Sequence, residues 1–275
     1  MRIELATDPG DPERPNEDWA SVALPASGLG GTLVLLDGVT PPAGPTGCAH
    51  SVPWFTARLG GALAELSGSR GDLTLPEVLG AGIARTAEAH RATCDLSHVR
   101  TPQATVVMAR WDAVRVEYLV LSDSVLLVEG AGGAVEPVLD VRLSGVTQEL
   151  RGGVRELPAG SPERAAAVRA YVAAVEARRN VEGGFHTAAA DPGVAARAVH
   201  GWHPRADVSA LVALTDGAGR WVDVFGRGTW ADAFALVRKQ GPQSFIDTVR
   251  ELERGAPAGL TGKRHDDAAV VLADL

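Results

Sequence analysis

The chain has 275 residues, 45% of them hydrophobic, and a formal charge of −8; that length supports one sizeable core, and residues 1–275 read as a single domain. The acidic balance, with no clustered Lys and Arg, excludes a general nucleic-acid binder. No apolar run approaches the ~20 residues a bilayer requires, and "MRIELATDPGDPERPNEDW" lacks an apolar signal core, so the expectation is a cytoplasmic protein with no membrane partner.

In chain order, Ile3 to Leu24 reads as two strands around a polar, proline-bearing turn, and "DWASVALP" alternates as a half-buried strand does. Thr32 to Leu36 is a fully buried strand, ended by the Gly/Pro-rich "DGVTPPAGPTG". Two amphipathic helices follow, from Val52 to about Leu66 and then from Pro76, the second presenting Leu79, Gly82, Ile83, Thr86, Ala87 and His90 on one face. The stretch from Ala104 to Leu139 is a meander broken at Trp111–Ala113, Ser122–Ser124 and Gly130–Gly133, and strands without helices between them pair antiparallel.

"ELRGGVRELPAGSPER", Glu149 to Arg164, is a loop, and the helix that Ser161 caps carries a stripe of Val168, Tyr171, Val172 and Val175, expected as packing. A short helix from Pro192 to Val199, a strand Val208–Leu214, helices over Trp230–Lys239 and Gln243–Arg254 and a strand Ala268–Leu272 complete the chain. Sheets covered by paired helices make this an α+β fold. Cys48 and Cys94 are too few for a disulfide framework, lack the paired Cys/His spacing of a zinc site, and read as small core residues.

Carboxylates recur where apolar strands begin or end: Glu17 and Asp18 before "WASVAL", Asp37 after "TLVLL", Asp123 after "YLVLS", Asp216 after "SALVALT", Asp266 and Asp267 before "AAVVLADL". A strand end holds such a group rigidly beside an opening, where groups distant in sequence can converge. Clustered carboxylates stay ionised only around a cation, and all-oxygen donors favour Mg²⁺ or Mn²⁺. Taken singly, Asp37-Gly38 or Asp216-Gly217 reads more readily as a plain turn than as a ligand.

The ordered set "NEDW" (Asn16–Trp19), "LLDGVT" (Leu35–Thr40), "PQATVV" (Pro102–Val107), "LVLSDSVLLV" (Leu119–Val128), "LTDGAGR" (Leu214–Arg220) and "HDDAAVVL" (His265–Leu272) resembles the metal-dependent PP2C (PPM) serine/threonine phosphatases, in a bacterial, actinobacterial-like branch. That resemblance implies a four-layer α-β-β-α sandwich, two antiparallel sheets flanked by helix pairs, with two Mg²⁺ or Mn²⁺ ions at one end and a third, weaker ion in some members. Carried over residue by residue, Asp37 bridges the two ions and Gly38 offers its carbonyl. Asp216 and Asp266 bind the first ion, Glu17 holds the second, directly or through water, and Asp18 supports that cluster from beside it. Asp37, Asp216 and Asp266 are then catalytic through water on the metals. Asp123 would serve the third ion, and Arg14 would grip the substrate phosphate, unless it is a solvated loop arginine.

The implied activity is hydrolysis of phosphoserine and phosphothreonine in a phosphorylated protein partner, by water activated between two cations. The alternatives are a weakly active or inactive signalling module of the same fold, or a phosphatase for a small metabolite. The chain departs from the family pattern at Val39, where some members carry a histidine, and at Ser122 and Val125, where a glycine and an arginine are usual. His50, at a helix start, reads as a surface or capping residue that could approach the site, and His265 as a loop residue.

Overall fold

The computed structural model describes residues 1–154, 157–158, 160–257 and 263–275. Its centre is a pair of five-stranded antiparallel sheets. One runs in the order β1 (Arg2–Asp8), β10 (Ala268–Asp274), β9 (Val208–Leu214), β6 (Val125–Gly130), β7 (Val135–Val138). The other runs β2 (Trp19–Ala23), β3 (Gly31–Gly38), β4 (Ala104–Trp111), β5 (Arg115–Leu121), β8 (Val199–Pro204).

Side chains alternate across a strand, and here both faces are covered, which is why the central strands read as unbroken apolar runs. Leu33 and Leu35 of β3 and Val107 of β4 point between the sheets, where they meet Leu126, Leu211, Ala213 and Val271. Their neighbours Val34, Leu36, Val106 and Met108 face outward onto Leu59 and Leu63 of α1 (Val52–Ser69) and Leu79 and Ile83 of α2 (Leu75–His90). The first sheet repeats the arrangement, laying Leu127, Val212, Leu214 and Val270 against Phe234 of α6 (Trp230–Gln240) and Phe245 and Val249 of α7 (Pro242–Gly255). Each fully buried side chain of this size contributes about 1.5–3 kcal/mol of transfer free energy, and three such layers hold the four-layer sandwich together.

The helix starts follow local chemistry. Ser51 caps α1, its hydroxyl accepting from the Trp54 N–H, and Thr74 with Glu77 forms a capping box on α2. All six residues expected on the inner face of α2 are buried.

Elsewhere local pattern was a poorer guide. The stripe on α4 (Pro162–Glu176) is not packing: Val168 and Val172 are each 40% exposed, and the buried residue is Glu176. Both sheet faces are already covered, so α4 leans on α3 (Arg142–Leu150), a helix that falls mostly between the meander and the loop of the sequence reading and that neither anticipates. Pro192–Arg197 is a 3-10 turn rather than a helix reaching Val199, which instead opens β8, a polar edge strand without an apolar run. Of the expected loop from Glu149 to Arg164, residues 155, 156 and 159 lie outside the described residues. No helix among the described residues is long and apolar enough to cross a membrane.

Candidate metal and phosphate site

Antiparallel register sets the carboxylates at one end of the sandwich. β2 opens with Trp19 opposite Leu36, which brings Asp18 level with Asp37. Asp37 and Gly38 are the last residues of β3, opposite Thr105 and Ala104, and so form no turn. β5 ends at Leu121 opposite Val106, delivering Asp123 to the same end. In the other sheet Leu214 pairs with both Val125 and Val270, so Asp216, at the start of α5 (Asp216–Asp223), emerges beside Asp123 and Asp266.

Hydroxyls join the two sheets there. The Thr215 hydroxyl donates to Asp18 Oδ2 at 2.9 Å, and Thr105 Oγ1 lies 2.5 Å from Ser124 Oγ. Asp267 accepts from the N–H groups of Gly10 (2.7 Å) and Glu17 (2.6 Å), strapping the loop that carries Arg14 and Glu17 onto the start of β10. The two Asp-Gly glycines have a packing role. A Cβ on Gly38 would stand 2.7 Å from the Glu17 carbonyl oxygen, and one on Gly217 would stand 1.9 Å from that of Asp267. Only glycine lets these segments touch.

The electrostatics follow from the crowding. Burial is the main cause that pushes Asp37 well above the ordinary carboxylate range, with Asp216, Asp18, Asp123 and Asp266 adding to it. Burial raises Asp18 in the same way against the opposing Thr215 bond, and pushes Asp216 up to about 7, helped by Asp123 and Asp266. Asp123 is raised by burial and by Asp140 and Asp266; Glu17 is raised by burial although the Thr40 hydroxyl donates to it. Asp18 Oδ1 is buried with no hydrogen-bond partner. Raised carboxylates beside an unsatisfied acceptor need positive charge among them. The all-oxygen donor set fits Mg²⁺ or Mn²⁺.

Arg14, Glu17, Thr40, Lys263 and Asp266 line one cleft of about 750 Å³. Asp123 and Asp216 line a neighbouring one of about 640 Å³ with Asp140 and Asp223. Asp18, Asp123, Asp216 and Asp266 all act on the buried Asp37, Glu17 shares the first cleft with Asp266, and Arg14 is exposed in that cleft.

Sequence reasoning missed Lys263. Its Nζ lies 2.8 Å from Asp266 Oδ1 and 3.2 Å from Thr40 Oγ1. Burial works to lower its pKa, but Asp266, Asp216 and Asp37 together hold it above the usual lysine value. A cation three residues before a proposed ligand was the available signal. The Asp266-Asp267 pair is plain in the sequence, but the role of Asp267 as the strap is not.

Three minor readings change. His50 does not cap α1, since Ser51 does; its ring stacks on Trp54 with centroids 4.0 Å apart. Cys48 and Cys94 are half-buried rather than core, and their sulfurs stand 2.9 Å apart. His265 bonds through Nδ1 to the buried Glu253 at 2.8 Å. At Asp123 the backbone is strained: Ser122 has φ +70°, held by its N–H to Asp140 Oδ2 (2.9 Å).

No family model matches the chain, and no curated protein does. Solved structures do. The serine/threonine phosphatase Stp1 from Staphylococcus aureus is 14% identical and superposes with a TM-score of 0.60 over 100% of this chain and 95% of its own. The Mycobacterium tuberculosis serine/threonine phosphatase PstP/Ppp is 18% identical, with a TM-score of 0.58 over 100% and 98%. The catalytic domain of PstP in complex with two manganese ions is 16% identical, with a TM-score of 0.58 over 99% and 97%. With two antiparallel sheets, helix layers on both sides and end-to-end coverage, the chain has the fold of the bacterial PP2C-type serine/threonine phosphatases.

Proposed function

We propose that the chain is a Mg²⁺- or Mn²⁺-dependent phosphatase that hydrolyses phosphoserine and phosphothreonine monoesters in proteins. The observation that carries this reading is the convergence of Glu17, Asp18, Asp37, Asp123, Asp216 and Asp266 from both sheets onto one end, beside a cleft that Arg14 and Lys263 help to line. Asp37, Asp216, Asp266 and Glu17 would hold two cations, with the Gly38 carbonyl beside them. Asp18 would take part through its unpartnered Oδ1, and Asp123 would serve a third, weaker site. When bound, such cations supply Lewis acidity for water attack on phosphorus and offset charge on the phosphoryl oxygens.

The remaining work falls to the chain. Thr40 and Thr215 hold the carboxylates of Glu17 and Asp18 by hydrogen bonds, fixing their rotamers. Arg14 and Lys263 face the same cleft and can receive the non-reacting oxygens of a phosphate monoester. Val39 offers no proton, and His50 is engaged with Trp54 and the cysteines, so the leaving serine or threonine oxygen takes its proton from solvent.

Phosphate release from a phosphopeptide tests the reading. Activity should require added Mn²⁺ or Mg²⁺, vanish on chelation and collapse in Asp216→Asn. Activity indifferent to both chelation and the substitution would overturn it. Parallel assays on sugar and nucleotide phosphates separate a protein phosphatase from one for small metabolites.

A further inference from the structure

Away from the carboxylates, Cys48, His50, His90 and Cys94 bring one donor atom each to within 4.8 Å of one another. We infer that these four residues form a structural zinc site, a tetrahedral Cys2His2 centre that fastens the wall of the cleft to the end of α2.

The donor geometry is that of a closed site. With Zn–S near ~2.3 Å and Zn–N near ~2.0–2.1 Å, the edges of a tetrahedron come to roughly 3.3–3.8 Å. Cys48 Sγ lies 3.7 Å from His50 Nδ1 and 3.5 Å from His90 Nδ1, and His50 Nδ1 lies 3.4 Å from Cys94 Sγ. The sulfurs, 2.9 Å apart, are closer than that edge, and an ion between them would spread them. Two thiolates and two imidazoles neutralise and select a soft divalent ion, in contrast to the oxygen donors at the strand ends.

The surroundings hold the donors in place. The Ala49 N–H points to Cys94 Sγ at 3.3 Å and the His50 N–H to Cys48 Sγ at 3.4 Å, the kind of contact that steadies a thiolate. The His50 ring is clamped by stacking on Trp54, which also lies against His90. His90 is 2% exposed, with its Nε2 buried and unpartnered, so Nδ1 is the nitrogen left to act. In sequence the donors read Cys-x-His at the approach to α1 and His-x3-Cys at the end of α2. Cys94 lies in the turn that follows α2, where the Thr93 N–H donates to the His90 carbonyl at 3.1 Å, and both His90 Nδ1 and Cys94 Sγ reach Cys48 Sγ, at 3.5 and 2.9 Å.

The consequence is mechanical. The segment from Thr40 to Ser51 lines the cleft, and among the described residues Asp95 N–H to Gly47 O at 2.7 Å is one backbone bond tying it to the α2 end. A metal would add four covalent-strength tethers at that point. The site stands on its own donors and is independent of the phosphatase reading.

The test is metal analysis on the full chain, purified without chelator from zinc-sufficient culture. About one zinc per chain is expected, with Cys48→Ser and Cys94→Ser falling to background while Asp216→Asn retains it. Because a serine variant could misfold, the wild-type chain is also to be titrated with Co²⁺ after zinc removal. Visible bands of tetrahedral cobalt with thiolate charge transfer, lost on adding zinc, support the site. Background zinc in the wild type together with a featureless cobalt titration overturns it. An intact mass lower by two hydrogens, locating a Cys48–Cys94 disulfide in freshly purified protein, would also overturn it.

Discussion

The two donor clusters of this chain solve opposite problems. The carboxylates are gathered from β2, β3, β9, β10 and the β5–β6 turn, so they depend on the register of both sheets and on the packing between them. The Cys/His quartet comes from one loop and the end of one helix, on the outer face of a single sheet. The first is anionic and under repulsion, which suits ions that must keep water and exchange substrate. The second is compact and neutral once loaded, which suits an ion that never leaves.

The largest expected effect separates the two. On the proposed reading, Asp37→Asn or Asp216→Asn would remove a ligand for the two proposed cations, and loss of ~4 kcal/mol of transition-state stabilisation corresponds to about 10³-fold in turnover. Steady-state phosphopeptide kinetics with saturating Mn²⁺ measure it, while zinc content stays at the wild-type level. A drop of less than tenfold would place the chemistry elsewhere. By contrast, Cys94→Ser should act on stability first. Freeing a closed loop of this size costs ~3 kcal/mol, read as a midpoint lower by about 5–10 °C in thermal unfolding.

The two clusters also differ in how they show in the sequence. Asp37 and Asp216 each end an apolar run, so strand periodicity announces both the element and its tip, and the ordered family-like segments imply the roles proposed for them. Cys48 and His90 carry no periodic signal of that kind: one sits in a Gly/Pro-rich loop and the other on a buried helix face, where histidine reads as packing. Their partnership depends on α1 folding back over α2, a tertiary event with no local trace. The Val168–Val175 stripe failed for a related reason. Periodicity shows that a helix has an apolar face, and cannot show that the sheets have already been covered by other helices.

Acidity gives a middle-sized test. Burial raises Asp18, Asp37, Asp123 and Asp216, the last to about 7, so the folded chain binds more protons than the unfolded chain from about pH 4 up to that value. A raised carboxylate pKa contributes stability that is intact below the unfolded value and is lost as pH rises through the folded one. Without Mg²⁺ or Mn²⁺, the unfolding midpoint should therefore fall between about pH 5 and about pH 7.5, and added Mn²⁺ should flatten the slope. The zinc cluster predicts no such rescue by Mn²⁺, so a pH slope unchanged by Mn²⁺ would detach the carboxylates from metal binding.

Smaller, and directed at the phosphate side, is Lys263→Ala. The ammonium sits 2.8 Å from Asp266 Oδ1 and faces the cleft, so its removal should raise KM several-fold with a lesser change in kcat, as expected for a group that binds substrate rather than one that acts only in the transition state. An unchanged KM would leave Arg14 as the cation that meets the phosphate.

The smallest effect concerns the strained backbone of Ser122 beside Asp123. Ser122 adopts φ +70°, a conformation that costs an L-residue about 1 kcal/mol and a glycine almost nothing. Its hydroxyl bonds Asp123 Oδ1 at 3.2 Å and its N–H bonds Asp140 Oδ2 at 2.9 Å, and these contacts offset the strain. Ser122→Gly keeps the N–H bond, relieves the backbone and gives up only the long hydroxyl contact. The variant should gain up to about 1 kcal/mol, a midpoint rise of about 2–4 °C by calorimetry. The freed carboxylate should also take up Mn²⁺ more readily, since it no longer shares an oxygen with the hydroxyl. If the variant is instead destabilised, the serine hydroxyl is holding Asp123 in place, and the strain at this corner of the carboxylate cluster serves to aim a ligand.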